Sequence, residues 1–265
     1  MAEPSSAQQR FLKKRQQKLR TVTLVRILIF LAFLVLWEAS TRLHLIDAFI
    51  FSSPTRVVAT FMSMAADGSI FRHIGSTLLE TLVSFFLVFA VSLFSAMLLW
   101  LSRSLSRILE PYLVVLNSLP KSALAPLLIV WLGANTRTII VAGMSVAVFG
   151  SILTIYTGFS EVDPDKIKLI YTLGGKKRDV LLKVILPGSI PIFLNTMKVN
   201  IGLCLVGVII GEFIGSRQGL GYLIIYGSQV FQLDMVLMSI VILCIVAMCL
   251  YQAISAAERI YLKKL

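Results

Sequence analysis

Histidine, cysteine and acidic residues are scarce, and each shortage closes off a class of chemistry. The 265-residue chain has two histidines, three cysteines and 13 acids. His44 and His73 both fall in a polar stretch between apolar runs, where they read as solvated side chains, so no histidine stands inside an apolar run to hold a metal. Cys204, Cys244 and Cys249 are too few for a disulfide framework or a zinc site. The phosphate-binding pattern Gly-x4-Gly-Lys-Ser/Thr is missing. Gly174-Gly175-Lys176-Lys177 lacks both its spacing and its hydroxyl, so ATP binding by this chain is not expected. Ser118 and Lys121, at i and i+3 across a proline, make a poor catalytic dyad, which disfavours an intramembrane enzyme. No second copy of NSLPKSALAP (117–126) occurs, which counts against the internally repeated secondary transporters.

Charge is also thin. Charged residues are 14% of the chain and hydrophobic ones 57%, whereas soluble domains carry about 25% charged residues. Such a chain needs lipid as its solvent, and it reads as one all-α polytopic membrane domain. Six apolar spans are predicted, at about 22–42, 76–101, 110–133, 138–159, 190–213 and 235–257. They form a domain over 22–257 with polar tails at 1–21 and 258–265. The first run is not followed by a small-x-small cleavage site, so it reads as an uncleaved helix.

The net charge of +12 does not point to nucleic acid, because the cations cluster between apolar runs. With the N-terminus inside, 18 of the 25 Lys and Arg fall on inner segments and five on outer ones. The remaining two, Lys121 and Lys198, stand within spans. The positive-inside rule then places both termini and the 160–190 loop in the cytoplasm. Glu38 and Glu80 fall near the outer ends of their spans, within reach of water, and read as packing or local pairing residues. Trp100, Trp131, Tyr112, Tyr222 and Tyr226 fall near span ends, as interfacial anchors do.

The longest polar interruption in the second half is SEVDPDKIKLIYTLGGKKRDVLLKVILPGSIP (160–191). Asp163 can cap a helix with Pro164 at its first position, and Gly174-Gly175 supplies a left-handed stop. The helix, about 164–173, is roughly 15 Å long, a size suited to a peg in a partner's cleft. A second helix is predicted from Lys176 to about Leu186, ending at Pro187.

Two spans carry unusual residues. Pro120, Lys121 and Pro126 fall inside the third, which must therefore be kinked or broken. In the fifth, Gly207, Gly211 and Gly215 repeat every fourth residue, a stripe that lets another helix approach. Asn195, Lys198 and Gly202 share another face. Lys198 lies about 12 Å into the apolar core, where a lysine costs on the order of 3 kcal/mol unless water or an acid receives it. Glu212, about 21 Å away along the same helix, is out of reach. Lys198 thus faces a wet path or an acid on another span, or it snorkels to the cytoplasmic interface. Asn117, Pro120 and Lys121 with Asn195, Lys198 and Gly202 are the candidate path residues. Two such lysines in each of two paired chains would favour an anionic solute.

The loop resembles the cytoplasmic loop of ABC importer permeases, whose pattern is Glu-Ala-Ala, three residues, Gly, nine residues, Ile-x-Leu-Pro. Thr172-Leu173-Gly174 and Val184-Ile185-Leu186-Pro187 match its spacing, with Val for Ile. Lys168-Leu169-Ile170 departs from Glu-Ala-Ala. SPTRVVATF (53–61), LPKSALAPLLIVWLG (119–133) and GEFIGSRQGLGYLI (211–224) are similar to motifs of the nitrate/sulfonate/taurine branch. The resemblance spans about 35–257 and implies a type I importer permease of the bacterial inner membrane, multi-pass and without catalytic residues. It implies ATPase coupling through Asp163, Pro164, Tyr171, Thr172, Leu173, Gly174, Gly175, Leu186 and Pro187. It implies an outer gate at Glu212, Gly219, Leu220, Gly221 and Tyr222. Its implied partners are a second permease chain, as a homodimer, two ABC ATPase subunits holding ATP and Mg, and an extracytoplasmic solute-binding protein. No metal or cofactor is expected on this chain. The cargo expected is a sulfonate-, taurine- or nitrate-like anion, with a vitamin precursor or other small organic solute as the alternative.

Overall fold

A computed structural model of the chain describes residues 6–262. Apolar runs in lipid must satisfy every backbone polar group internally, and a helix does so within one segment. Described residues accordingly form helices and turns without strands. In order these are α1 (Ser6–Arg42), α2 (Ala48–Phe51), α3 (Pro54–Ala66), α4 (Ser69–Leu101), α5 (Arg103–Ser118), α6 (Lys121–Leu132), α7 (Thr136–Ser160) and α8 (Pro164–Thr172). Then come α9 (Lys177–Val180), a wider π-type turn (Leu181–Ile185), α10 (Leu186–Gly188), α11 (Ile190–Gly215), α12 (Leu220–Gln229) and α13 (Leu233–Leu262).

Stretches of α1 and α13, together with α4, α7 and α11, are each long and apolar enough to cross a membrane, and α5 with α6 makes a sixth candidate. That pair is bent by 96° at Leu119-Pro120, so the third span is broken rather than merely kinked. Pro120 lacks an N–H and starts α6 instead of continuing α5. Helix α5 begins at Arg103, so most of the basic stretch expected as a turn is helical. The segment expected as a basic tail is helical from Ser6 and continuous with the first span. Lys263-Lys264-Leu265 and residues 1–5 lie outside the described residues.

The core is the triple contact of α4, α7 and α11. Small residues let α7 and α11 approach closely: a Cβ added to Gly207 would lie 2.8 Å from the Gly143 Cα. Gly211 meets Ile139 and Ala142, and Gly215 meets Ile129 of α6, so the predicted stripe is a packing surface. Polar bonds cross the same interfaces. The Ser84 hydroxyl donates to the Ile140 carbonyl at 3.0 Å, and the Asn200 amide to Ser151 Oγ at 2.8 Å. Three apolar clusters stack along the bundle. Phe159, Ile155, Val180 and Ile185 fill the end bearing the 160–190 loop. Val88, Ala147 and Ile201 fill the middle. Ile70, Leu220 and Met238 fill the far end. There α3 acts as a strut. The Glu38 carboxylate of α1 accepts from the Thr55 N–H at its N-terminus, and Arg56 pairs with Asp234 of α13 at 2.8 Å.

Candidate functional site

Three groups of residues stand out along the bundle, beginning with the peg at the loop end. Asp163 Oδ1 accepts from the Asp165 N–H at 2.9 Å and Pro164 takes the first helical position, which fixes where α8 starts. Its other end is closed by paired bonds, Gly174 N–H to the Tyr171 carbonyl and Gly175 N–H to the Ile170 carbonyl. That double closure requires a left-handed residue at Gly174, where φ is +80°. Gly175 is needed for a different reason: a Cβ there would lie 2.9 Å from the Ile170 carbonyl oxygen. Ile167 and Ile170 pack inward. Leu169, Tyr171 and Leu173 point out, 57%, 45% and 75% exposed, so the peg presents an apolar face that its own chain leaves uncovered. The Thr172 hydroxyl turns back to the Leu169 carbonyl.

Behind the peg, Lys177 donates to the Leu101 carbonyl at 2.8 Å and stands over the Trp100 ring, binding the loop to the end of α4. Asp179 accepts the Lys176 N–H at 2.9 Å and pairs with Lys183. Those two interactions, the N–H foremost, hold its carboxyl below the usual range. The second loop helix does not end at Pro187. It widens into the π-type turn at Leu181–Ile185 and runs on through Leu186 and Pro187. A proline removes one N–H and crowds the carbonyl four residues back, and a π-type turn relieves both.

The second group lies along α7 and α11. Gly150, Thr154 and Thr157 recur at i, i+4 and i+7 on one face of α7, and Glu161, its C-cap, continues that face at i+11. Asn117, at the end of α5, abuts this face, its Oδ1 lying 3.1 Å from where a Gly150 Cβ would stand. Asn195 of α11 lines a cavity of about 570 Å³ with Thr154, Thr157 and Glu161. Asn117 and Asn195 thus meet the same polar stripe. Gly202 faces open space.

Both in-span lysines have partners. Lys121 donates to the Asn117 carbonyl, placing its charge at the C-terminus of α5, where the helix dipole favours a cation. Lys198 forms an ion pair with Glu258 of α13, and both side chains are largely buried. Lys198 therefore meets an acid of α13, one residue beyond the end predicted for the sixth span.

The third group is at the far end. Glu212 is fully buried, and its two oxygens accept from the Thr77 hydroxyl at 2.7 Å and the Gly221 N–H at 2.6 Å. Thr77 in turn accepts the Leu220 N–H at 2.8 Å. His73 Nδ1 accepts the Gly219 N–H at 3.1 Å, and its ring stacks on Tyr222, which stacks on Tyr226. Gly219, at φ +108°, and Gly221 both lie so close to Glu212 that a Cβ on either would strike its carboxyl. Glu80 stands beside Glu212, and its Oε2 has no hydrogen-bond partner among the described residues. Glu80 is only 1% exposed, which corrects its reading as a water-accessible end residue. His73 is likewise corrected, from solvated loop residue to a clamp on Gly219.

Thr77, His73, Glu258, Thr157 and Glu161 are the residues that sequence reasoning missed as parts of these groups. Glu258, the acid nearest the end of the sixth span, was the one with a usable signal, since Lys198 required a counter-charge.

These arrangements can be set beside known proteins. The profile of the family described as "binding-protein-dependent transport system inner membrane component" matches residues 88–260. The chain is similar to a probable ABC transporter permease protein of Haemophilus influenzae, 32% identical over 86% of this chain and 92% of the relative. It is similar to the formylaminopyrimidine transport permease protein ThiX of Halalkalibacterium halodurans, 26% identical over 74% of this chain and 77% of the relative. It is also similar to the taurine transport system permease protein TauC of Escherichia coli, 25% identical over 85% and 84%. Among solved structures, the MetNI methionine ABC transporter in an inward-facing conformation shares the fold, with TM-score 0.63 at 20% identity over 72% of this chain and 95% of that one.

Proposed function

The chain belongs to the family of binding-protein-dependent transport system inner membrane components, and we propose that it lines the path of an ATP-driven importer for a small organic solute. It is a multi-pass membrane subunit, and the family is a non-catalytic component. In this reading α8 is the mechanical input, seated in an ATP- and Mg-binding subunit on the cytoplasmic side. The stripe of α7 with α11 and the α5–α6 break form the path, with Asn117, Pro120, Lys121, Asn195, Lys198 and Gly202 along it. Glu212, Gly219, Leu220, Gly221 and Tyr222 form the outer gate, beneath a solute-binding protein. A second copy of the chain completes the path. That partner is supported by α1, whose apolar window has no buried residue within its own chain.

The observation that carries the reading is the peg. Leu169, Tyr171 and Leu173 are large apolar side chains held out to solvent by a helix stopped at both ends. A soluble surface does not hold such a patch without a partner. A photo-crosslinker at Leu173 in cells tests it. A covalent product with a nucleotide-hydrolysing subunit is expected. No such product, or labelling of Leu173 from outside, would overturn the proposal.

Cargo has two candidates. An anion of the sulfonate or taurine kind draws on Lys121 and Lys198, each of which must first leave its partner. An uncharged heterocycle, as in the formylaminopyrimidine relative, needs no free cation, and the pairing of Lys198 with Glu258 favours it. Uptake of taurine against formylaminopyrimidine by the assembled complex separates the two.

A further inference from the structure

The cavity between α7 and α11 is lined by Leu153, Thr154, Thr157, Gly158, Glu161, Pro191, Ile192 and Asn195. It holds one carboxylate and no lysine or arginine. The side chains of Thr157, Glu161 and Asn195 have no hydrogen-bond or ionic partner among the described residues, so their acceptors are available to an occupant. The nearest cation in sequence on α11, Lys198, is committed to Glu258. Of the six loop cations, Lys168 pairs with Asp165, Lys183 with Asp179 and Lys177 with the Leu101 carbonyl, and Lys166, Lys176 and Arg178 do not line the cavity.

We infer that this vestibule passes nitrogen-bearing solutes that are uncharged or cationic and turns away anions, with Glu161 as the residue that sets the selection. The inference rests on reading α7 and α11 as walls of the path. Donors on the solute, amino or ring N–H groups, meet the Glu161 carboxylate, the Asn195 carbonyl oxygen and the Thr157 hydroxyl. A carboxylate or sulfonate would meet Glu161 as a like charge in a space with no free cation.

The test reads the charge of the vestibule directly, in the full chain within its complex, with Cys204, Cys244 and Cys249 replaced by serine. Thr157→Cys is then modified by two membrane-impermeant methanethiosulfonates, one carrying trimethylammonium and one carrying sulfonate. Rates are normalised to a free thiol in solution. Residues 157 and 161 are one helical turn apart, about 6 Å. A unit charge at that distance in water changes the local concentration of a charged reagent about threefold. The cationic-to-anionic rate ratio should therefore exceed that of the free thiol about tenfold at low ionic strength. Glu161→Gln should remove that excess.

Equal normalised rates for the two reagents, or an excess that survives Glu161→Gln, would overturn the inference and leave the permease reading intact. Failure of both reagents to react would also overturn it, since the vestibule would be closed. Reaction from the external face alone would overturn the permease reading and its orientation instead.

Discussion

Replacing Gly174 by valine is the sharpest test of the peg. The position sits at φ +80°, where an L side chain costs about 1–2 kcal/mol and a branched one more. No neighbour lies within 4 Å of the added Cβ, so conformation alone sets the cost and packing adds nothing. To escape it, the chain must give up the closing bonds to Tyr171 and Ile170, each worth about 1 kcal/mol. Either route destabilises the last turn of α8 by about 2–3 kcal/mol. That is a change of roughly 30- to 140-fold in local opening. Amide hydrogen exchange over 164–175 should accelerate by that factor, while spans α4 and α7 stay protected. In the reconstituted complex, ATP hydrolysis should continue with uptake lost. Gly174→Asn, which tolerates the left-handed region, should retain most of both. Normal uptake in the valine variant, or an asparagine variant as impaired as it, would refute the reasoning.

Further outcomes are expected elsewhere. Glu212→Gln should lower stability by about 1–3 kcal/mol, because its amide must face either the Thr77 hydroxyl or the Gly221 N–H with a donor; thermal unfolding in detergent reads this, with Glu80→Gln close to the parent. Lys198→Met or Glu258→Met alone should destabilise by up to about 3 kcal/mol, and the double variant should recover much of that loss, because the buried partner is no longer left uncompensated; a double-mutant cycle on thermal unfolding measures it. Asp179 has a folded-state carboxyl below its ordinary range, so its support of the loop is present above about pH 4 and lost as pH falls through the lower value; protection of the Lys176 amide, taken relative to its intrinsic exchange rate, should fall on acidification and lose that dependence in Asp179→Asn.

Local punctuation was the most legible part of the chain. Asp163-Pro164 and Gly174-Gly175 fix the ends of α8 because capping and left-handed closure need only neighbours in sequence. The break at Pro120 is equally local, but the 96° bend is not, since its angle is set by how α6 packs on α7 and α11. The loop after α11 was legible through family resemblance, yet its clamps were not. Thr77 and His73 reach it from more than 130 residues away, and a threonine in an apolar run carries no sign of its partner. Lys198 signalled a need without naming who meets it. Pro187 misled because a proline reads as a terminator, whereas the backbone widened a turn and continued.

Under the proposed function, the glycine contact between α7 and α11 would also set how motion is geared. From the Gly143–Gly207 crossing, each helix runs roughly 25 Å to the loop end and only about 10–12 Å to the far end. If the crossing acts as a fulcrum, a 4 Å swing of the peg becomes about 1.2 Å at Glu212, five residues beyond it. That displacement would break a 2.6 Å bond to Gly221. Under the proposed coupling the long arm would belong to the driven end and the short arm to the latch, so travel would be traded for force.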